Sequence, residues 1–348
     1  MENCKSSGQP LVRRVGVINW DCGLPSTTFF GGYACKSLGP KHFRDRTPYY
    51  AVETAPDAIE MPERTKWDFD DELRHAITAG IDYFAYCWYD RTPPEGHVTD
   101  GDAKTADGHL QELTKARLMH LASDLKSQIG LCAILVTSHP YSDTELEELL
   151  KTMQEPYYEK VEGRPIVYLF PGAWEPLLER LQMLCQAAGY VRPYAVLLER
   201  WETPPEQLAK VDALSDYSGM LTGTTWEELV GDMNRGNDFR VAQGKPVIPH
   251  FATGWDPSPR IEHPVPWCSY PALNYAAAAS PEQLLNGARQ FKEWLQAHAD
   301  ACPTGQLLVF AWNEFEEGGW ICPTWKPNGC PDTARRDAFA EMVKIWKG

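Results

Sequence analysis

The chain has 348 residues, 43% hydrophobic and 23% charged, the make-up of a globular protein large enough for one sizeable α/β domain. A net charge of -15 weighs against nucleic acid or an anionic membrane surface as the main partner. No apolar run reaches the roughly 18 residues that a transmembrane helix needs.

Met1 to Pro10 is polar and reads as a disordered leader with no signal peptide, ahead of a single domain over 11–348. Arg14 to Trp20 is a first buried strand, ending at Asp21. From Gly23 to about Pro62 the chain is rich in Gly, Pro and Tyr and too long for a simple connection, so a long loop covering a site is expected. Asp70 to Ala79 has helical spacing, with Leu73, Ala76 and Ile77 on one side and Gly80 as C-cap. Ile81 to Asp90 is a second strand finishing in aromatics and an acid, and Asp107 to Ser127 is a helix with Leu110, Leu113, Leu118 and Leu121 as its apolar side. Gly130 to Thr137 is a third strand, with His139 just beyond it.

A helix over Asp143 to Gln154, capped by Ser142 or Asp143, leads to a fourth strand, Pro165 to Phe170. Trp174 to Ala188 is helical and stops at Gly189, and Tyr194 to Leu198 is a fifth strand followed by Glu199. After a short helix, Pro205 to Ala213, the sixth strand is placed at Ser218 to Leu221. Trp226 to Gln243 is helical, and Pro246 to Phe251 is a seventh strand leading to Gly254-Trp255-Asp256. Pro281 to Ala299 is a helix, with Leu284, Leu285, Ala288, Phe291, Trp294 and Leu295 at helical spacing, and Leu307 to Trp312 is the eighth strand. Eight such alternations predict a single-domain (β/α)8 TIM barrel with a long loop after the first strand, a count that depends on the sixth unit.

The eighth strand runs into Asn313-Glu314-Phe315-Glu316-Glu317 and then Gly318-Gly319, so its carboxylates emerge at the strand end where barrels build their sites. As a continuing strand, Glu314 and Glu316 would share a face. As a helical turn, Glu314 and Glu317 would come together, with Cβ atoms about 5–6 Å apart. The glycines that follow favour the turn. Two carboxylates that close suit glycosidic chemistry, which needs one protonated and one ionised group.

Residues just past the other strands would meet at the same mouth: Trp20 and Asp21, Trp88 and Asp90, His139, Glu199, His250, Trp255 and Asp256, with Trp312 and Asn313 beside the acids. Acids, amides and indoles without a basic cluster suit a neutral, hydroxyl-rich ligand, and the 13 Trp supply flat faces for stacking on sugar rings, although many aromatics will be core. Each member also has a plainer role open to it. Asp21 and Asp90 can accept from loop N–H groups, Asp256 can cap a Pro-rich turn, Glu199 can sit at the surface, and His139 can shape the loop before Pro140.

Other chemistries find little footing. There is no CxxC, HExxH, GxSxG or GxxxxGK[ST], so no metal or other cofactor is expected. Cys87 and Cys132 read as small core residues, whereas Cys22, Cys35, Cys268, Cys302, Cys322 and Cys330 fall in loops and permit disulfides. With Cys4 as a candidate for lipid attachment, a periplasmic, cell-surface or secreted location is expected, the cytoplasm being the alternative.

Three blocks resemble the glycoside hydrolase family 99 group and its WbsX-like relatives. Trp312 to Gly318 looks like the family's W-N-E-[WF]-x-E-G signature, Gly80 to Tyr89 is similar to its second-strand block, and Gly254 to Arg260 to its G-W-D-x-[ST]-P-R block, with a fainter echo at Val161 to Val167. The resemblance implies a (β/α)8 barrel that cleaves α-linked oligo- or polysaccharides, α-mannosides above all, with retention and without a covalent enzyme link. It implies that Glu314 assists the sugar's own 2-hydroxyl in attacking the anomeric carbon, and that Glu317 is the acid and then the base. The chain departs from the family after Gly318, where Gly319 to Thr324 replaces a polar run ending in Glu-Pro, and at Asn19-Trp20-Asp21. Both segments, Trp320 included, would line the subsites. The extra acid Glu316 competes for the role given to Glu317. A glycosyltransferase-like protein and a sugar-binding barrel without catalysis are the rival readings.

Overall fold

The computed structural model describes residues 10–21, 23–91, 106–199, 201–217, 222–327 and 329–348. The leader to residue 9 with its Cys4, then Cys22, and the expected sixth strand at 218–221 lie outside the described residues.

Among the described residues eight parallel strands form the barrel: β1 Arg14–Asn19, β2 Tyr83–Trp88, β3 Gly130–Leu135, β4 Arg164–Leu169, β5 Tyr194–Leu198, β6 Ala213–Ser215, β7 His250–Ala252 and β8 Gln306–Phe310. They neighbour one another in sequence order, and β1 lies between β8 and β2. The ring closes where Leu214 of β6 bridges Val247, with Leu214 N donating to Pro246 O and Ile248 N to Leu214 O, both at 2.9 Å. Residues 246–248 thus run beside β6, while β7 itself runs beside β8. Nearly every strand position is buried, because side chains face either the barrel interior or the surrounding helices; this is why the strands read as apolar runs rather than as alternations.

The sixth strand lies ahead of its expected place. The helix expected over Pro205 to Ala213 ends at Leu208, and β6 is only three residues of a run broken by Asp212, too short for its period to show.

The helices are α1 Phe29–Ser37, α2 Lys66–Thr78, α3 Lys115–Ala122, α4 Asp143–Gln154, α5 Trp174–Ala187, α6 Pro205–Leu208, α7 Trp226–Ala242, α8 Ser258–Glu262, α9 Pro281–Ala297 and α10 Ala334–Lys347. Local chemistry sets their ends. Capping boxes open α2 at Thr65, α7 at Thr225 and α9 at Ser280, and Ser142 caps α4 by accepting from Glu145 N at 3.1 Å. Gly80 follows α2 with a φ of 77°, a left-handed conformation that favours glycine.

The helix expected from Asp107 to Ser127 is in fact broken. A 3-10 turn, Ala106–Thr114, precedes α3, and another, Asp124–Ser127, follows an extended Ser123. Its leucines accordingly do not share one face: Leu110 and Leu113 are buried while Leu118 is 38% exposed. The long segment after β1 is folded too, with α1, a 3-10 turn at Lys41–Arg46, and a hairpin of Val52–Ala55 with Ala58–Glu60. The terminal helix α10, unread in the sequence, packs on α9 and α2, with Trp346 Nε1 donating to Ala288 O at 3.1 Å. Cys35, Cys87, Cys132, Cys185, Cys268, Cys302 and Cys322 are free thiols. Among the described residues no helix is long and apolar enough to cross a membrane.

Candidate active site

Beyond β8 the backbone forms a tight excursion. Asn313–Glu314 pairs antiparallel with Gly319–Trp320, and the Phe315–Glu317 segment between them is a 3-10 turn. In a 3-10 turn residues three apart are eclipsed, so Glu314 and Glu317 project to the same side and Glu316 to another. Gly318 closes the turn at a φ of 80°, and a Cβ there would lie 2.6 Å from Asp256 N. The loop after β7 presses against the turn equally closely: a Cβ on Gly254 would lie 2.1 Å from Gly318 O, and Asp256 N donates to Glu317 O at 2.7 Å. These contacts leave room for glycine only.

That docking delivers Arg260, on the short helix α8, beneath the three acids. Its Nη1 donates to Glu317 Oε1, its Nη2 to Glu316 Oε2 at 3.3 Å, and its Nη2 stands 4.0 Å from Glu314 Oε2. Burial works against the Arg260 charge, but Glu316 and Glu317 outweigh it and hold the guanidinium well above the ordinary arginine range. Sequence spacing assigns this arginine no part beyond the block containing it. The signal it missed was charge balance, since three acids in four residues at a buried strand end require a cation.

The three carboxylates then differ in surroundings. Glu316 is 1% exposed and turned away, accepting from Ser37 Oγ of α1 as well as from Arg260. Glu314 and Glu317 both line one cavity of about 640 Å³ at the C-terminal mouth of the barrel. Glu317 accepts from Tyr270 Oη at 2.5 Å in addition to Arg260. Glu314 accepts from Tyr217 Oη at 2.7 Å, while its buried Oε2 has no hydrogen-bond partner. Burial, and then the charge of Glu317, push the Glu314 carboxyl up to about 8, so it is protonated at neutral pH.

Strand ends around the ring supply the walls: Trp20 after β1, Tyr89 after β2, Val136 and His139 after β3, Phe170 after β4 and Tyr217 after β6. Of the residues expected from sequence, Trp20, His139, Glu314 and Glu317 meet in this cavity. Trp20 is anchored by its indole N–H, which donates to Tyr89 Oη at 3.2 Å.

The other expected residues do not line the cavity, and the reason in most cases is a partner elsewhere. Asp21 accepts from Ala116 N at 2.6 Å in the first turn of α3, and burial raises its carboxyl to about 7. Asp90 accepts from Ser142 N at 2.5 Å, so each acid is held by a backbone N–H, that of Asp21 in a helix rather than in the expected loop. Trp88 donates to Glu145 at 2.8 Å and Trp312 to Glu72 at 2.7 Å, each placing its indole in the scaffold. Asn313 ties the first and last strands, accepting from Trp20 N and donating to Asn19 Oδ1, both at 3.1 Å. Asp256 is paired with Arg46 at 2.7 Å and bonds Ser258 N at the start of α8, while Trp255 packs edge-on to Tyr270. His250 is buried in β7 beside Asn237, and Glu199 accepts from Trp201 N at 3.1 Å. Trp320 lies under the guanidinium of Arg335, 4.1 Å from its ring centroid, in a separate small cavity.

No family model matches the chain, and no curated protein matches it. Solved structures do. The GH99 endo-α-mannosidase from Bacteroides thetaiotaomicron in complex with bis-tris-propane aligns over 96% of this chain and 97% of that one, with a TM-score of 0.54 and 13% identity. Another structure of a GH99 endo-α-mannosidase from the same organism covers 81% of this chain and 80% of that one, with a TM-score of 0.49 and 13% identity. The first likeness establishes a shared fold: the chain is a (β/α)8 barrel of the kind found in that glycoside hydrolase.

Proposed function

We propose that this protein is a glycoside hydrolase that cleaves an α-linked glycan, an α-mannoside first among them, with Glu314 and Glu317 as its catalytic pair. The observation that carries the reading is that two carboxylates one turn apart open into the same cavity, one with a bare oxygen and the other bonded to Arg260. Glu314 is protonated at neutral pH and has one bare oxygen, and Glu317 stands in an ion pair with Arg260. One proton and one negative charge facing a sugar-sized space are what glycosidic cleavage requires. The likeness in fold to an endo-α-mannosidase supports the choice of an α-mannoside as first candidate.

The surroundings favour a division of labour opposite to the one the family resemblance implies. Glu314 would give its proton to the leaving oxygen. Glu317, bonded by Arg260 and Tyr270, would carry the negative charge that assists attack at the anomeric carbon and stabilises the developing oxocarbenium ion. Retention follows if that attack comes from the substrate's own 2-hydroxyl. Glu316, turned to Ser37, holds Arg260 in place.

The test is a panel of α-linked glycans with wild type, Glu314→Gln, Glu317→Gln and Glu316→Gln, with NMR of the first anomer released. Loss of turnover by about 10²-fold or more in the first two variants, with sugar binding kept and the retained anomer first, is the expected result. Turnover insensitive to both, or initial release of the inverted anomer, overturns it.

A further inference from the structure

The cavity changes character across its width. At one side stand Glu314, Glu317 and Arg260, with the hydroxyls of Tyr217 and Tyr270 on the two acids. Arg260 then meets two indoles, its guanidinium carbon 5.1 Å from the Trp20 ring centroid and 5.7 Å from that of Trp267. Trp267 in turn packs 4.8 Å from Phe30 of α1. Leu110 and Leu113, from the 3-10 turn that contacts α1, complete this side of the lining, and Val136 and Phe170 add further apolar wall.

This gradient bears on what is bound. A sugar ring buried among groups that cannot hydrogen-bond loses its hydroxyls' water without replacement, at a cost for each one. Flat indoles can stack on a ring, but the branched side chains of Leu110, Leu113 and Val136 offer neither a flat face nor a partner for a hydroxyl. The acid side satisfies one sugar unit. Apart from the unpartnered Trp267 Nε1, the wall of Phe30, Leu110 and Leu113 offers a hydroxyl no partner and suits a group that carries none.

We infer that the substrate is a sugar conjugate carrying an apolar chain or ring, seated against Trp267, Phe30, Leu110 and Leu113 while the sugar faces Glu314 and Glu317. The inference rests on the hydrolase reading for the position of the bond cleaved, and deepens it by naming the substrate class. The apolar group is either the aglycone or an acyl group on the sugar, which are chemically alike to this wall and separable by experiment.

The experiment uses the wild-type chain and matched pairs of α-mannosides, α-glucosides and α-galactosides bearing methyl or hexyl aglycones. Methyl glycosides acylated with hexanoate at the 6-hydroxyl and the corresponding α-linked disaccharides complete the set. Hydrolysis and tryptophan fluorescence on titration are measured for each, Trp20 and Trp267 being the reporters. The expected result is that, for at least one sugar, the hexyl or hexanoyl compound is bound and cleaved about tenfold or more better than its methyl partner and the disaccharide. A hexyl preference assigns the wall to the aglycone, and a hexanoyl preference to an acyl group. Cleavage of the disaccharides as well as or better than the apolar conjugates overturns the inference and leaves the hydrolase reading standing. An apolar preference in binding with no cleavage anywhere supports the inference and overturns that reading. Neither cleavage nor an apolar preference in binding overturns both.

Discussion

Replacing Glu314 by Gln should make the protein's stability less sensitive to pH, and the size of the effect follows from its surroundings. The carboxyl titrates near 8 in the folded protein, against the ordinary value of 4.5, because burial and the Glu317 charge disfavour its anion. A group with a raised folded value contributes its stability in full below the unfolded value, and that contribution is lost as pH rises through the folded value. The window here runs from about 4.5 to about 8. Within it each pH unit is worth about 1.4 kcal/mol, so the loss between about pH 5 and about pH 7 is on the order of 3 kcal/mol. Gln imitates the protonated form: its Oε1 still accepts from Tyr217, and its Nε2 replaces an oxygen without a partner. The variant should therefore match the wild type near pH 5 and be the more stable by about 3 kcal/mol near pH 7. With an unfolding entropy of roughly 0.7 kcal/mol/K for a chain of this length, that is a gap in Tm of roughly 4 °C. Thermal unfolding of both proteins by circular dichroism across that range measures it. A difference independent of pH would refute the claim that Glu314 is held protonated.

The same titration predicts an alkaline limb of activity with its midpoint near 8, because the ionised Glu314 cannot donate; a rate that instead climbs through that region would restore the roles implied by the family resemblance. Arg260→Met leaves the buried Glu316 and Glu317 without their cation and should cost about 3–5 kcal/mol near neutral pH, less in acid, read as Tm against pH. Glu316→Gln should lower Tm yet keep kcat within about tenfold of wild type, whereas Glu317→Gln should lose about 10²-fold or more; equal losses would place Glu316 in the chemistry.

The fold was legible where the chemistry is local. Apolar runs marked seven of the eight strands, and Ser142, Gly80 and Gly189 lie at the helix ends where they were expected. Periodicity failed where elements are too short to have a period, as in β6, whose three residues follow Asp212. It also misled over Asp107 to Ser127, where leucines at near-helical spacing serve two purposes. Leu110 and Leu113 line the cavity from a 3-10 turn, and only Lys115–Ala122 is α-helical. The fold within the long segment after β1 was out of reach because α1 is held by distant partners: Glu112 Oε1 and Oε2 accept from Phe29 N and Phe30 N, each at 3.2 Å.

At the site, residue spacing sets the distance between the acids but says nothing of their neighbours. Spacing alone separated Glu314 and Glu317 from Glu316 once a turn was assumed, because an eclipsed pair three apart must leave the middle residues elsewhere. Nothing in that spacing says which acid is protonated, since this depends on where Arg260 is delivered by a loop some fifty residues earlier in the chain. That loop docks because Gly254 and Gly318 have no side chains to keep the two backbones apart. A glycine contact thus sets the electrostatics of the pair: the arginine bonds Glu317 and Glu316 directly and stands farther from Glu314. Residues collected at strand ends divide by the same logic. Asp21 and Asp90 each have a backbone N–H within reach and are spent on it, whereas Trp20 stays at the mouth because Asn313 and Tyr89 fix its backbone and its indole N–H, leaving its face toward Arg260 and the cavity.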